Sequence, residues 1–118
     1  MGRDDTSERP ITDAVGDLRA LLGARLLAYV AGATETRSVR EWVEGVSVPP
    51  TAAVKRLRLA LDVAQLIEQS QGASIVPTWF QGVSPFLGDR SPARAIREGD
   101  LEVTASAVRE AAEAFAAA

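Results

Sequence analysis

The stretch from Thr51 to about Gln69 constrains the fold more than any other part of the chain. Its polar residues Lys55, Arg58, Asp62, Gln65 and Gln69 recur at 3-4-3-4 spacing, which confines them to one narrow stripe of a helix. Val54, Leu57, Leu61 and Ala64 face away from that stripe, and Leu59, Val63, Leu66 and Ile67 widen the apolar surface. One neighbour cannot cover so broad a face, so this helix is expected at the centre of the molecule, touching both halves of the chain. Thr51, after Pro49-Pro50, is its expected N-cap.

Helical periodicity continues on either side. Ile11, Val15, Leu18 and Leu22 recur at i, i+4, i+7 and i+11, and Gly23 is placed to end that helix. A second helix is expected from Ala24 to Ala31, burying Leu26, Leu27 and Val30, with Gly32 permitting a left-handed turn after it. A third begins within Thr34 to Ser38, carries Val39, Trp42 and Val43 on one side, and stops at Gly45. Beyond Gly72, the segment from Ala73 to Gln81 is expected to make a helical turn around Pro77. Near the end, Leu101, Ala105, Val108, Ala112 and Phe115 repeat at 4-3-4-3 as the apolar face of a last helix. No segment sustains period-two alternation between turn signals, so the fold is expected to be all-α. The division expected is a leader over residues 1–10, a helix-turn-helix-like region over 11–70 and a second helical region over 71–118.

The chain has neither cysteine nor histidine. Disulfides, thiolate or imidazole metal sites and catalytic dyads using either residue are therefore excluded. The closest acidic groupings, Asp4-Asp5, Asp13 with Asp17, and Asp100 with Glu102, have no recognisable ligand spacing. No glycine-rich phosphate loop follows a strand. Neither a metal nor a cofactor is expected, and no nucleophile or acid/base pair can be named for an enzyme. No apolar run approaches bilayer length and the first ten residues are polar with mixed charge, so a cytoplasmic protein with no membrane partner is expected.

Charge is unevenly distributed. Residues 1–35 carry four basic and six acidic groups, residues 36–60 five and two, and residues 61–118 four and eight, giving -2, +3 and -4. The basic middle holds Arg37, Arg40, Lys55, Arg56 and Arg58. Two short helices around Gly32 have the outline of a helix-turn-helix, whose second helix would present Thr36, Arg37, Ser38 and Arg40 to a major groove, with arginine pairing to guanine. Lys55, Arg56 and Arg58 would then touch phosphates. A solvated helix surface accounts for these residues as well. With so few cations, DNA binding by one copy would be weak, so a homodimer is expected.

In the back half, Ser84-Pro85-Phe86-Leu87-Gly88-Asp89-Arg90-Ser91-Pro92 lets two prolines fix the path into a short helix that ends at Gly99. Such a stretch outlines a shaped surface for a partner. Trp79 and Phe80 either anchor an interface or seal the core beneath the prolines, and the core is the favoured place for Trp79. The small side chains ending the last helix suit insertion into a groove.

With both halves laid out, the chain resembles the Xre/MbcA/ParS-like toxin-binding antitoxin family over roughly residues 12–116. The resemblance rests on Thr36-Arg37-Ser38-Val39, Trp42, Gly45 and Pro49 in the front, and on the order Trp79, Pro85, Leu87-Gly88, Pro92, Ile96, Gly99 in the back. It implies a protein that binds and neutralises a RES-domain, NAD-consuming toxin and that autoregulates its operon through the helix-turn-helix. It further implies a toxin-binding surface from Pro85 to Arg94 together with Arg109 to Ala118. Arg90 and Arg94 would be its polar contacts, Glu110 and Glu113 would face a basic nucleotide pocket, and a hetero-oligomer with the toxin would form. The chain departs from the family in having Ser84-Pro85-Phe86 where an asparagine often adjoins the proline. The competing reading is a stand-alone, phage-like helix-turn-helix regulator whose C-terminal region serves dimerisation.

Overall fold

A computed structural model describes residues 9–118 of the chain; most of the expected leader, residues 1–8, lies outside the described residues. The protein is all-α: α1 (Ile11–Leu22), α2 (Ala24–Ala31), α3 (Thr36–Glu44), α4 (Thr51–Gln71), α5 (Val76–Gln81), α6 (Pro92–Glu98) and α7 (Leu101–Ala117), with 3-10 turns at Ala73–Ile75 and Pro85–Leu87. No strand occurs among the described residues, and no helix among them is long and apolar enough to cross a membrane.

α4 is the central helix, as its broad apolar face requires. It packs on α1 and α2 along one side and on α7 along the other, and also meets α5 and α6. Ala53, Leu57, Leu59, Ala60, Leu61, Val63, Ala64 and Ile67 are all buried. Its start differs from expectation by one residue: Thr51 is the first helical residue, and Pro50 stands at the cap with no side-chain hydrogen bond. Pro50 presets the backbone there, which leaves the threonine hydroxyl no capping role.

Leu18 of α1, Leu27 of α2, Leu57 and Ile67 of α4, Phe80 of α5 and Ile96 of α6 are fully buried in one continuous core. Burying each such side chain contributes about 1.5–3 kcal/mol. The regions 11–70 and 71–118 therefore share one hydrophobic interior. Pro77 opens α5 instead of interrupting a longer segment, since it lies in the first turn, where a missing N–H breaks no helical bond.

α7 presents a slightly different face from the one its periodicity suggests. Thr104, Val108, Ala111 and Ala112 are buried, Leu101 and Ala105 are half-buried, and Phe115 remains 36% exposed. α7 also approaches α6 closely at Gly99. A Cβ there would lie 2.6 Å from the Ala95 carbonyl oxygen and would collide with the Thr104 side chain, so glycine lets α7 fold back tightly against α6.

Candidate functional site

The segment between α5 and α6 is built by two repeated devices. Ser84 and Ser91 each stand before a proline and cap a short element: Ser84 Oγ accepts from Phe86 N at 3.2 Å, and Ser91 Oγ accepts from Arg94 N at 3.1 Å. Between them the backbone closes on itself. Ser84 N donates to the Arg90 carbonyl at 3.1 Å, and Asp89 N donates to the Ser84 carbonyl at 2.9 Å. Closure needs two successive left-handed residues, Gly88 at φ +66 and Asp89 at φ +62; aspartate is among the few non-glycine residues that adopt this region readily. Leu87 points inward and is buried, which turns Pro85 and Phe86 out to solvent.

This closed loop forms one wall of a groove of about 460 Å³, and the end of α7 forms another. Ile75, Trp79, Val83, Pro85, Phe86 and Phe115 are among its lining residues. Trp79 is only 9% exposed and is held edge-on to Phe80, ring centroids 5.1 Å apart, so it forms a fixed floor. Val83 is 69% exposed and Phe86 53%. The groove is thus concave and carbon-lined, with its tryptophan buried and Val83 and Phe86 left in water.

The polar residues expected at this surface sit differently. Arg90 Nε donates to the Leu87 carbonyl at 3.1 Å and staples the loop. Arg94 pairs with Glu98 at 3.0 Å; that hydrogen bond, followed by the carboxylate's charge, raises the guanidinium above its ordinary value. Arg109 pairs with Asp62 of α4 at 3.2 Å. Glu110 and Glu113 are exposed and make no ion pair among the described residues. Glu110 adjoins the groove-lining Ala111 and Ala114, whereas Glu113 lies on a different side of α7. Pro92 is buried beside the groove and Gly88 is exposed.

α2 and α3 are joined by residues 32–35, with Gly32 at φ +87. Thr36, Arg37 and Arg40 are exposed and Ser38 is half-buried. Arg37 lies 3.4 Å from Glu35 and 3.8 Å from Glu41, so its charge is met locally. Lys55 is exposed, but it shares a shallow depression with Arg56, Asp100 and Glu102. Arg56 donates to the Ala31 carbonyl at 3.1 Å, at the C-terminal end of α2. Arg58 is half-buried and donates to the Arg9 carbonyl at 2.9 Å, and its buried Nη1 has no hydrogen-bond partner among the described residues. Thus Arg40 and Lys55 are the cations of this group without an internal contact among the described residues.

Sequence reasoning placed Phe86 in the surface from Pro85 to Arg94 but passed over Val83 and Ile75, and Arg97 and Tyr29 as a link between the halves. The signal for Val83 was an apolar residue between Gly82 and Pro85, where no helix face exists to bury it. The arginine gave none. Among the described residues, no cluster of metal-ligating side chains converges. No family model, curated protein or solved structure matches the chain. Fold and site together define an all-α protein with an apolar groove beside the end of α7.

Proposed function

We propose that the chain is an antitoxin: its C-terminal face binds and neutralises a RES-domain, NAD-consuming toxin, and its α2–α3 pair serves as a helix-turn-helix for autoregulation of the operon. One observation carries this reading, the apolar groove between the Ser84–Arg90 loop and the end of α7. Val83, Phe86 and Phe115 expose hydrophobic area that a partner protein would cover. The groove holds no convergent set of acid, base and nucleophile, which favours gripping a macromolecule over transforming a small one.

Operator binding is the weaker of the two activities. α3 and the residue before it carry two arginines against Glu35, Glu41 and Glu44, so the counterion-release contribution of one copy is small and two copies must act together. Co-expression with the RES-type product of an adjacent gene, followed by purification and mass determination, tests the proposal. A complex in which the toxin's NAD consumption is suppressed supports it. A toxin that stays active and separates from the chain refutes it.

A further inference from the structure

We propose that the groove receives an amphipathic segment of a partner protein whose apolar side chains are flanked by lysine or arginine. The inference rests on the docking reading above, but not on the partner being a RES-type toxin.

Residues 61–118 contain four cations, and each makes an intramolecular contact: Arg90 with the Leu87 carbonyl, Arg94 with Glu98, Arg97 with the Tyr29 carbonyl and Arg109 with Asp62. The same residues contain eight anions, of which only Asp62 and Glu98 form ion pairs among the described residues. Asp89, in the loop that forms one wall, and Glu110, beside the other, are both exposed. The groove is therefore an apolar trough flanked by two exposed carboxylates, Asp89 and Glu110, that make no ion pair among the described residues.

A partner bearing carboxylates would meet like charge, which costs affinity and slows encounter; a partner bearing cations gains both. The same reasoning disfavours a second copy of this chain, because a two-fold contact would bring the same flanking carboxylates of both copies together. The hydrophobic residues supply the holding surface, and the unpaired carboxylates select the sign of the partner.

Two synthetic peptides of about four helical turns test this on the full chain. They share one leucine and alanine face, and one is flanked by lysines, the other by glutamates. Titration calorimetry and tryptophan fluorescence are expected to show the lysine peptide binding at least about tenfold more tightly, with the advantage shrinking as salt shortens the screening length. Phe86→Ser should abolish binding. The pair Asp89→Asn and Glu110→Lys should remove most of the discrimination; asparagine tolerates the left-handed backbone at position 89. Equal binding of both peptides, binding of neither, or lysine-peptide binding that survives Phe86→Ser overturns the proposal, as does a dimer in sedimentation that Phe86→Ser dissolves. If the lysine peptide binds but the RES-type toxin does not, the toxin assignment falls and the charge inference stands. If the toxin binds with no dependence on salt or on Glu110→Lys, the charge inference falls and the toxin assignment stands.

Discussion

The guanidinium of Arg97 lies 4.7 Å above the ring centroid of Tyr29 while its Nη1 donates to the Tyr29 carbonyl at 2.8 Å. The same nitrogen is 3.4 Å from the Ala33 carbonyl, and Arg56 reaches the Ala31 carbonyl from α4. Two cations from different elements thus converge on the C-terminal end of α2, where a helix leaves carbonyls unpaired and its dipole favours positive charge. Arg97→Ala should destabilise the fold by about 1–2 kcal/mol, the sum of a partly exposed cation–π contact and a helix-end charge. Urea unfolding monitors it. Arg97→Lys should recover only part, because an ammonium cannot stack and donate in the same plane; full recovery would show that charge alone matters.

Gly99 is a packing requirement with an ordinary φ, not a flexible joint. Gly99→Ala should cost about 1–3 kcal/mol through forced separation of α6 and α7. Gly16 offers the control: nothing lies within 4 Å of a Cβ there, so Gly16→Ala in the middle of α1 should stabilise by about 0.5–1 kcal/mol. Thermal unfolding of the two variants should move in opposite directions.

Phe80 and Phe86 separate stability from binding. Phe80 is fully buried against Trp79, and Phe80→Ala should cost about 3–5 kcal/mol, a large share of a small domain's stability. Phe86 is half in water, and Phe86→Ser should change stability by no more than about 0.5 kcal/mol while abolishing partner capture. Circular dichroism melts read the first effect and calorimetry the second; a Phe86→Ser variant that melts early would place this ring in the core.

The double variant Arg37→Ala with Arg40→Ala tests the separation of roles. Operator binding, measured by fluorescence anisotropy at fixed salt, should be lost, while toxin neutralisation in cells survives. Loss of neutralisation in a folded double variant would show that the α3 surface belongs to the protein interface.

The sequence by itself determined the helices and their order. The 3-4-3-4 stripe of α4 places a broad apolar face, and the glycines and prolines mark each helix end within a residue or two, because both signals act through local backbone geometry. It also located the loop between Ser84 and Pro92, whose two serine-proline steps cap and start helices by short-range hydrogen bonds. The fate of the charged residues was decided only in three dimensions. Arg56, Arg58 and Arg97 each end on a backbone carbonyl contributed by a segment at least 25 residues away, a distance no local pattern spans. The groove belongs to the same category: Trp79, Phe86 and Phe115 come from three separate elements, and only their packing around α7 decides which of the rings faces the core and which faces water.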